Sequence, residues 1–292
     1  MTTGASAVRP RPAACVIGWP IEHSRSPLIH NYWLKAYGIA GEYRREEIAP
    51  EKFAGFIQSL AAHGYVGANV TVPHKEAALA LSQPDDRARA VGAANTLWLD
   101  GALRSTNTDV EGFLDNLDAC AANWDRGLGK AVIVGAGGAA RAVIYGLLAR
   151  GVERIMVANR THSRAEMLRQ RFGERVQPVG WNDRNAALHD AALLVNATTL
   201  GMAHQPQLDI DIGRLPSHAI VADLVYVPLL TPLIRAATAR NLRVADGLGM
   251  LLHQAVRGFT LWFGKRPVIT AELRALIEAD LGPSNGARGG IT

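Results

Sequence analysis

The stretch Asn69-Val70-Thr71-Val72-Pro73-His74-Lys75-Glu76 reads as a strand end, a turn and a helix start, with a lysine just inside the helix. Helix N-termini carry partial positive charge, so a cation there is unfavourable by about 0.3–1 kcal/mol. Lys75 is therefore a solvated surface residue, the partner of a carboxylate, or a group whose charge and proton are used in chemistry. The last two readings are compatible. Asn69 and Thr71 flank the same strand end, and Thr71 is also a natural cap for a helix begun by Pro73. Upstream, Ser24 and Ser26 precede Pro27, which suits the first position of a helix and makes Ser26 its expected N-cap. Two hydroxyls beside a helix N-terminus can equally bind a carboxylate. Asn95 opens a strand, where asparagine is disfavoured on propensity. Asp109 stands at a helix start, where a cap or dipole role would account for it.

A second constellation points to a dinucleotide. Lys130-Ala-Val-Ile-Val134 reads as a short buried strand, followed directly by Gly135-Ala136-Gly137-Gly138-Ala139-Ala140 and a helix to Arg150. In that context, Gly135 permits a tight turn and Gly137 lets a pyrophosphate approach the backbone. Ala140 allows close helix packing, and the helix N-terminus faces the phosphates. The next strand ends in Asn159-Arg160-Thr161, with Arg164 one turn on. An acidic residue at that strand end would hold a ribose 2′-hydroxyl. Its absence, with two guanidiniums at hand, favours a 2′-phosphate and hence NADP. Thr198 and Leu224 stand at two further strand ends, beyond which ligands of open α/β sheets lie, although turn chemistry explains each equally well.

The elements that must position these residues alternate throughout the chain, which predicts an α/β protein with largely parallel sheets. Strands are expected near 14–18, 41–48 and 66–70, with helices over 27–37, 51–63 and 73–81. A hairpin should turn at Asp100-Gly101. A long helix from Asp109 to about Ala122 precedes a second α/β series, with strands at 131–134, 154–158, 192–196, 220–224 and 243–245. Helices over 250–263 and 270–279 end the pattern. One crossing near 109–112 and a return near 247–249 divide the chain into 1–110 with 249–292, and 111–248.

The chain has 292 residues, 48% of them hydrophobic and only 6% aromatic, as in a globular protein with aliphatic cores. Its net charge of +5 comes without any dense basic block, which argues against nucleic acid and suits an anionic small ligand. Cys15 and Cys120 are far apart, no histidine spacing suggests a metal, and no apolar run reaches membrane-spanning length. Met1 to Arg11 holds no apolar run of a secretory signal, so a cytoplasmic setting is expected. The Gly-rich tail from Gly282 to Gly290 reads as disordered.

Taken together, Gly18 to Pro27, Asn69 to Lys75, Ala94 to Leu97, Asn107 to Asp109, the Gly135 loop, Asn159 to Thr161 and Gly247 to Gln254 closely resemble the shikimate dehydrogenase family, in order and over almost the whole chain. The resemblance implies two α/β domains with a cleft between them, the second a Rossmann-type domain over 111–248 and the first, substrate-binding, over 1–110 and 249–292. It implies reversible NADPH-dependent reduction of 3-dehydroshikimate to shikimate in aromatic amino-acid biosynthesis, with Lys75 and Asp109 as the acid/base pair. Ser24 and Ser26 match serines holding the substrate carboxylate; Asn69, Thr71, Asn95 and Gln254 match residues binding ring hydroxyls. Tyr226 matches a tyrosine near the substrate. Gly135, Ala136, Gly137, Gly138, Ala139, Asn159, Arg160, Thr161, Arg164, Thr198, Leu224, Gly247, Gly249 and Met250 fall at the family's NADP side. Thr199, Val227 and the pair Ser105-Thr106 depart from the usual pattern without removing a catalytic group; they bear on whether quinate is also accepted. An NAD-using quinate/shikimate enzyme and a non-catalytic ligand sensor are the alternatives, the latter disfavoured by the presence of both Lys75 and Asp109. Monomer and homodimer are equally compatible with the sequence.

Overall fold

In the computed structural model of the protein, residues 11–282 are described; the N-terminal stretch read for a signal and the Gly-rich tail beyond Gly282 lie outside them. Among these, two compact units emerge: 11–106 with Ala255–Val268, and Asn107–Gln254 with 269–282. Among the described residues, no helix is long and apolar enough to cross a membrane.

The first unit is built on β1 (Ala13–Gly18), buried along its whole length. Strand side chains alternate between faces. Ala13, Cys15 and Ile17 accordingly join Phe53, Ile57, Leu60 and Val70 in one core, while Ala14 and Val16 meet Ile21, Tyr43 and Trp262 in another. β1 pairs in parallel with β2 (Glu42–Glu47) and β3 (Tyr65–Val70). The expected hairpin forms as β5 (Thr96–Asp100) and β6 (Ala102–Thr106), turning at Gly101 with φ +67, and β5 lies antiparallel to β3. The two-residue β4 (Gln83–Pro84) completes the order β2-β1-β3-β5-β6-β4. Around the sheet run α1 (Ser26–Ala36), α2 (Pro50–Gln58), α3 (Lys75–Ala80) and α4 (Asp86–Val91).

Three local expectations are corrected. Ser26 is the first helical residue of α1 rather than its cap, which is Arg25 without a side-chain bond. The stretch after Thr71 is a turn, closed by the His74 N–H donating to the Thr71 carbonyl at 2.9 Å, so α3 begins only at Lys75 and Thr71 does not cap it. Ser59 ends α2 early, because its hydroxyl donates to the Gly55 carbonyl at 2.8 Å and competes with helix continuation.

The second unit holds six parallel strands: β7 (Lys130–Val134), β8 (Arg154–Ala158), β9 (Val176–Val179), β10 (Leu193–Asn196), β11 (Ile220–Asp223) and β12 (Arg243–Ala245). Their order, β9-β8-β7-β10-β11-β12, is that of a doubly wound dinucleotide-binding sheet, with its switch point between β7 and β10. Both faces are covered, as all-parallel sheets require. Ala131 and Ile133 pack with α5 (Asp109–Cys120) and α6 (Gly138–Ala149); Val132 and Val134 pack under α8 (Pro232–Ala239). α7 (His162–Phe172) and α10 (Ala271–Leu281) also belong to this unit. α9 (Gly247–Phe263) begins three residues before the expected Met250, and the division between units falls within it.

His30 of α1 is fully buried with neither ring nitrogen in a good hydrogen bond, although Asn69 lies close enough to favour its charged form slightly. It stacks on Tyr43 at 4.1 Å with the planes 10° apart, and Trp33 and Phe259 close the cage. Burial is the larger effect and pushes its pKa down to about 3. The unfolded chain takes up the proton near pH 6.5 and the folded chain does not, so this group's stabilisation is complete above that pH and is lost as pH falls toward 3. Replacing His30 with Phe is expected to remove about 2 kcal/mol of the stability lost between neutral pH and roughly pH 4.5, measured as the shift in urea midpoint. An unchanged acid slope would show that His30 is not the group responsible.

Candidate active site

In the first unit, the elements around Lys75 hold it through its neighbours. The preceding His74 is buried, stacks on Phe53 at 4.4 Å, and its Nε2 lies 2.7 Å from the Ile48 carbonyl. Burial lowers the His74 pKa, and the ring can donate to that carbonyl through Nε2. The Lys75 carbonyl accepts from the Ala94 N–H at 2.9 Å, tying α3 to the segment that carries Asn95. Thr71 is anchored by its N–H to the Ile17 carbonyl at 2.9 Å. Its methyl lies against Gly18, where an added Cβ would approach within 2.6 Å.

The same edge gathers other expected substrate residues. The Ser24 hydroxyl accepts from the Ser26 N–H at 3.3 Å, so both serines sit at the entry of α1. Asn69 accepts from the Tyr43 hydroxyl at 2.6 Å and donates to the Asn95 carbonyl at 3.2 Å and the Thr96 hydroxyl at 3.1 Å. Thr96 in turn donates to Asn95 Oδ1 at 3.1 Å. Tyr43, Asn69, Thr96 and Asn95 are thus joined through one polar cluster, and backbone bonds help to place Thr71 and Lys75. Tyr43 and Thr96 were not singled out from sequence. The available signal was a lone aromatic residue in the charged strand Glu42-Tyr-Arg-Arg-Glu-Glu47, at the sheet edge.

In the second unit, the Gly135 loop fits a dinucleotide's diphosphate. Gly135 has φ +111, and a Cβ there would meet the Ala197 carbonyl at 2.8 Å, so the turn lies directly against the end of β10. At Gly137 a Cβ would meet nothing within 4 Å, which leaves its backbone open beside the N-terminus of α6. Ala136 and Ala139 are partly exposed, Gly138 opens α6, and Ala140 is buried against the sheet. Asn159 donates from Nδ2 to the Thr161 carbonyl at 2.8 Å, shaping the turn that presents Arg160 and Arg164 to solvent.

Thr198 belongs to a buried network at the ends of β10 and β11. Its N–H and hydroxyl donate to Asn196 Oδ1 at 3.1 and 2.7 Å, and Asn196 Nδ2 donates to Asp223 at 2.9 Å. Asp223 also accepts from Thr231 at 2.7 Å and the Val225 N–H at 3.1 Å. Burial raises the Asp223 pKa to about 6 against these three bonds. Leu224 follows Asp223, and a Cβ on Gly247 would come within 2.6 Å of its carbonyl, so α9 starts against the end of β11. Gly249 donates its N–H to Asp246 at 2.8 Å. It also packs on the Asn116 amide, which leaves no room for a Cβ. Met250 is buried in the core of this unit, and Gln254 lies against Gly112 of α5. Asp109 is the first residue of α5 and is buried; its N–H donates to Asn107 Oδ1 at 3.1 Å. Tyr226 is half-buried beyond β11.

The two glycines make opposite predictions. Gly135→Ala is expected to destabilise the fold by about 1–3 kcal/mol through strain and the clash with Ala197. Gly137→Ala should cost the fold about 1 kcal/mol or less yet weaken dinucleotide binding, because its methyl occupies the open backbone face. Thermal melts and dinucleotide titrations would check both. Unimpaired binding by Gly137→Ala would remove that face from the site.

The substrate-binding-domain model of shikimate dehydrogenase matches residues 16–97, the shikimate/quinate 5-dehydrogenase model 124–207, and the shikimate 5′-dehydrogenase C-terminal model 247–271. A shikimate dehydrogenase (NADP(+)) of Rhodopseudomonas palustris strain TIE-1 is 66% identical over 93% of this chain and 98% of that protein. One from Nitrobacter winogradskyi is 64% identical over 92% and 96%. The Thermus thermophilus enzyme, solved with NADP(H) and shikimate, superposes with TM-score 0.80 at 34% identity, covering 92% of this chain and 98% of that one. By sequence identity along nearly its whole length, and by the two sheets that carry the matched segments, the chain belongs to the shikimate dehydrogenase family.

Proposed function

We infer that the chain is an NADP-dependent shikimate dehydrogenase, catalysing the reversible reduction of 3-dehydroshikimate to shikimate. The observation that carries this is that relatives 62–67% identical over more than nine-tenths of the chain bear that one name. Residues 1–110 with 249–292 supply most of the substrate recognition and 111–248 hold the dinucleotide, in keeping with the substrate-binding-domain model matched on 16–97. When bound, NADP(H) supplies or accepts the hydride.

The residues then take the following parts. Ser24 and Ser26 bind the substrate carboxylate with their hydroxyls at the entry of α1. Asn69, Thr71, Asn95, Tyr226 and Gln254 orient the ring through its hydroxyls, which sets the reacting carbon in position. Lys75 donates a proton to the oxygen of the former ketone as negative charge develops there, and takes it back in the reverse direction. Asp109 orients the Lys75 ammonium. Arg160 and Arg164, with Asn159 and Thr161 in the same turn region, hold the ribose 2′-phosphate by charge-assisted bonds. No carboxylate stands at the end of β8 to repel that phosphate. Small soluble molecules are thus the partners, and the free thiols Cys15 and Cys120 suit a reducing, cytoplasmic setting.

Kinetics with two substrates and two cofactors test the reading. Shikimate with NADP+ should far exceed quinate or NAD+ in kcat/KM; a preference for quinate with NAD+ would replace it with the quinate dehydrogenase reading, the activity named for a Corynebacterium glutamicum structure of TM-score 0.84 and 31% identity. Lys75→Ala should lower kcat by about 10²–10⁴-fold with little change in KM for NADP+. Near-normal turnover would remove Lys75 from proton transfer. Arg160→Ala should raise KM for NADP+ by roughly tenfold and narrow the preference over NAD+; an unchanged preference would refute the phosphate clamp.

A further inference from the structure

A run of side-chain hydrogen bonds in the first unit leads from Tyr43 through Asn69 and Thr96 to Asn95, and its direction can be read. Asn69 must turn its NH2 toward the Asn95 carbonyl at 3.2 Å, since its own oxygen there would face another acceptor. That places Asn69 Oδ1 against Tyr43, 2.6 Å away, so the phenol donates. The other Asn69 hydrogen meets the Thr96 hydroxyl at 3.1 Å, which makes that hydroxyl an acceptor and sends its proton to Asn95 Oδ1, also at 3.1 Å. With its oxygen engaged by Thr96, the Asn95 amide is turned so that its NH2 end points away from this chain of bonds.

Tyr43 is itself held from two directions. Asn31 of α1 brackets its backbone, donating to its carbonyl at 2.9 Å and accepting from its N–H at 3.0 Å. His30, the preceding residue, stacks on its ring. The Ser26 hydroxyl lies close enough to ease ionisation of its phenol slightly, against the larger effect of burial. Tyr43 is 3% exposed and Thr96 fully buried, and their hydroxyl protons go to the Asn69 and Asn95 side chains.

We propose that Tyr43 and Thr96 are positioning residues for substrate recognition, setting the orientation of the Asn69 and Asn95 amides so that Asn69 offers an oxygen and Asn95 an NH2 to the hydroxyls of a polyhydroxylated ring carboxylate. This rests on the reading of Asn69 and Asn95 as substrate-binding residues. An amide that can rotate by half a turn presents the wrong partner half the time, and a buried polar group left unmatched is costly. Fixing both amides before binding removes that loss.

The test is steady-state kinetics with shikimate and NADP+ alongside thermal melts. Tyr43→Phe keeps the ring on His30 and removes only the hydroxyl; Thr96→Val removes the central link at similar volume; Thr96→Ser restores it. Tyr43→Phe and Thr96→Val are each expected to raise KM for shikimate about tenfold, while KM for NADP+ moves by less than about twofold. Thr96→Ser should stay within about twofold of the parent, and adding Tyr43→Phe to Asn69→Ala should cause no further loss. Unchanged KM for shikimate in Tyr43→Phe and Thr96→Val, with Asn69→Ala clearly impaired, overturns the proposal and leaves the substrate reading standing. Equal losses toward both ligands with a lowered Tm overturn it in favour of a purely structural role. If Asn69→Ala and Asn95→Ala themselves leave KM for shikimate unaltered, the underlying reading fails and takes the proposal with it.

Discussion

Parallel strands bring all their carboxyl ends to one edge of a sheet, and there the ladder stops while polar groups remain to be satisfied. In the second unit every strand pair is parallel, so Val134, Ala158, Asn196 and Asp223 end side by side. Asn196 and Asp223 answer the constraint by bonding each other and the loops that follow, through Thr198, Val225 and Thr231. In the first unit the parallel trio β2-β1-β3 meets the antiparallel hairpin, and Asn69, one residue before the end of β3, bonds across to the Asn95–Thr96 segment. The polar residues that shape both sites are thus also the ones that finish the sheets.

Close backbone approach is the second requirement, and it explains the glycines that matter. Gly135 lies against the end of β10, and Gly247 against the end of β11. Gly112 and Gly249 let α5 and α9 pack with Gln254 and Asn116 where any side chain would collide. These contacts draw the Gly135, Thr198 and Leu224 segments toward one edge of the six-stranded sheet. Arg274 of α10 bonds Asp246, whose other oxygen caps the first turn of α9, so this packing is also braced from the C-terminal side.

The buried ionisable groups are set by the same packing. Asp223 keeps three donors yet is buried enough that its pKa rises to about 6, whereas His30 is held neutral down to about 3 inside an aromatic cage. Their effects on stability oppose each other in acid: the raised carboxyl contributes fully below its unfolded pKa near 3.8 and loses that contribution as pH climbs through 6, and the depressed imidazole behaves the other way.

Much was legible in the chain itself. The strand–Gly135 loop–helix unit, the Asp100-Gly101 hairpin and the alternation of strand and helix follow from local stereochemistry and side-chain periodicity, which neighbours in sequence decide. Asn159-Arg160 in place of an acidic residue also reads directly. Helix starts were less secure: Ser26 and Thr71 look like caps, yet Ser26 is the first residue of its helix and Thr71 closes a turn ahead of α3. The roles of Tyr43, His30 and Thr96 had no local signature, because each depends on partners from different elements of the first unit. Periodicity tells which face of a strand turns inward, but the partner of a buried phenol or amide is chosen by which strands become neighbours, and only the tertiary structure decides that.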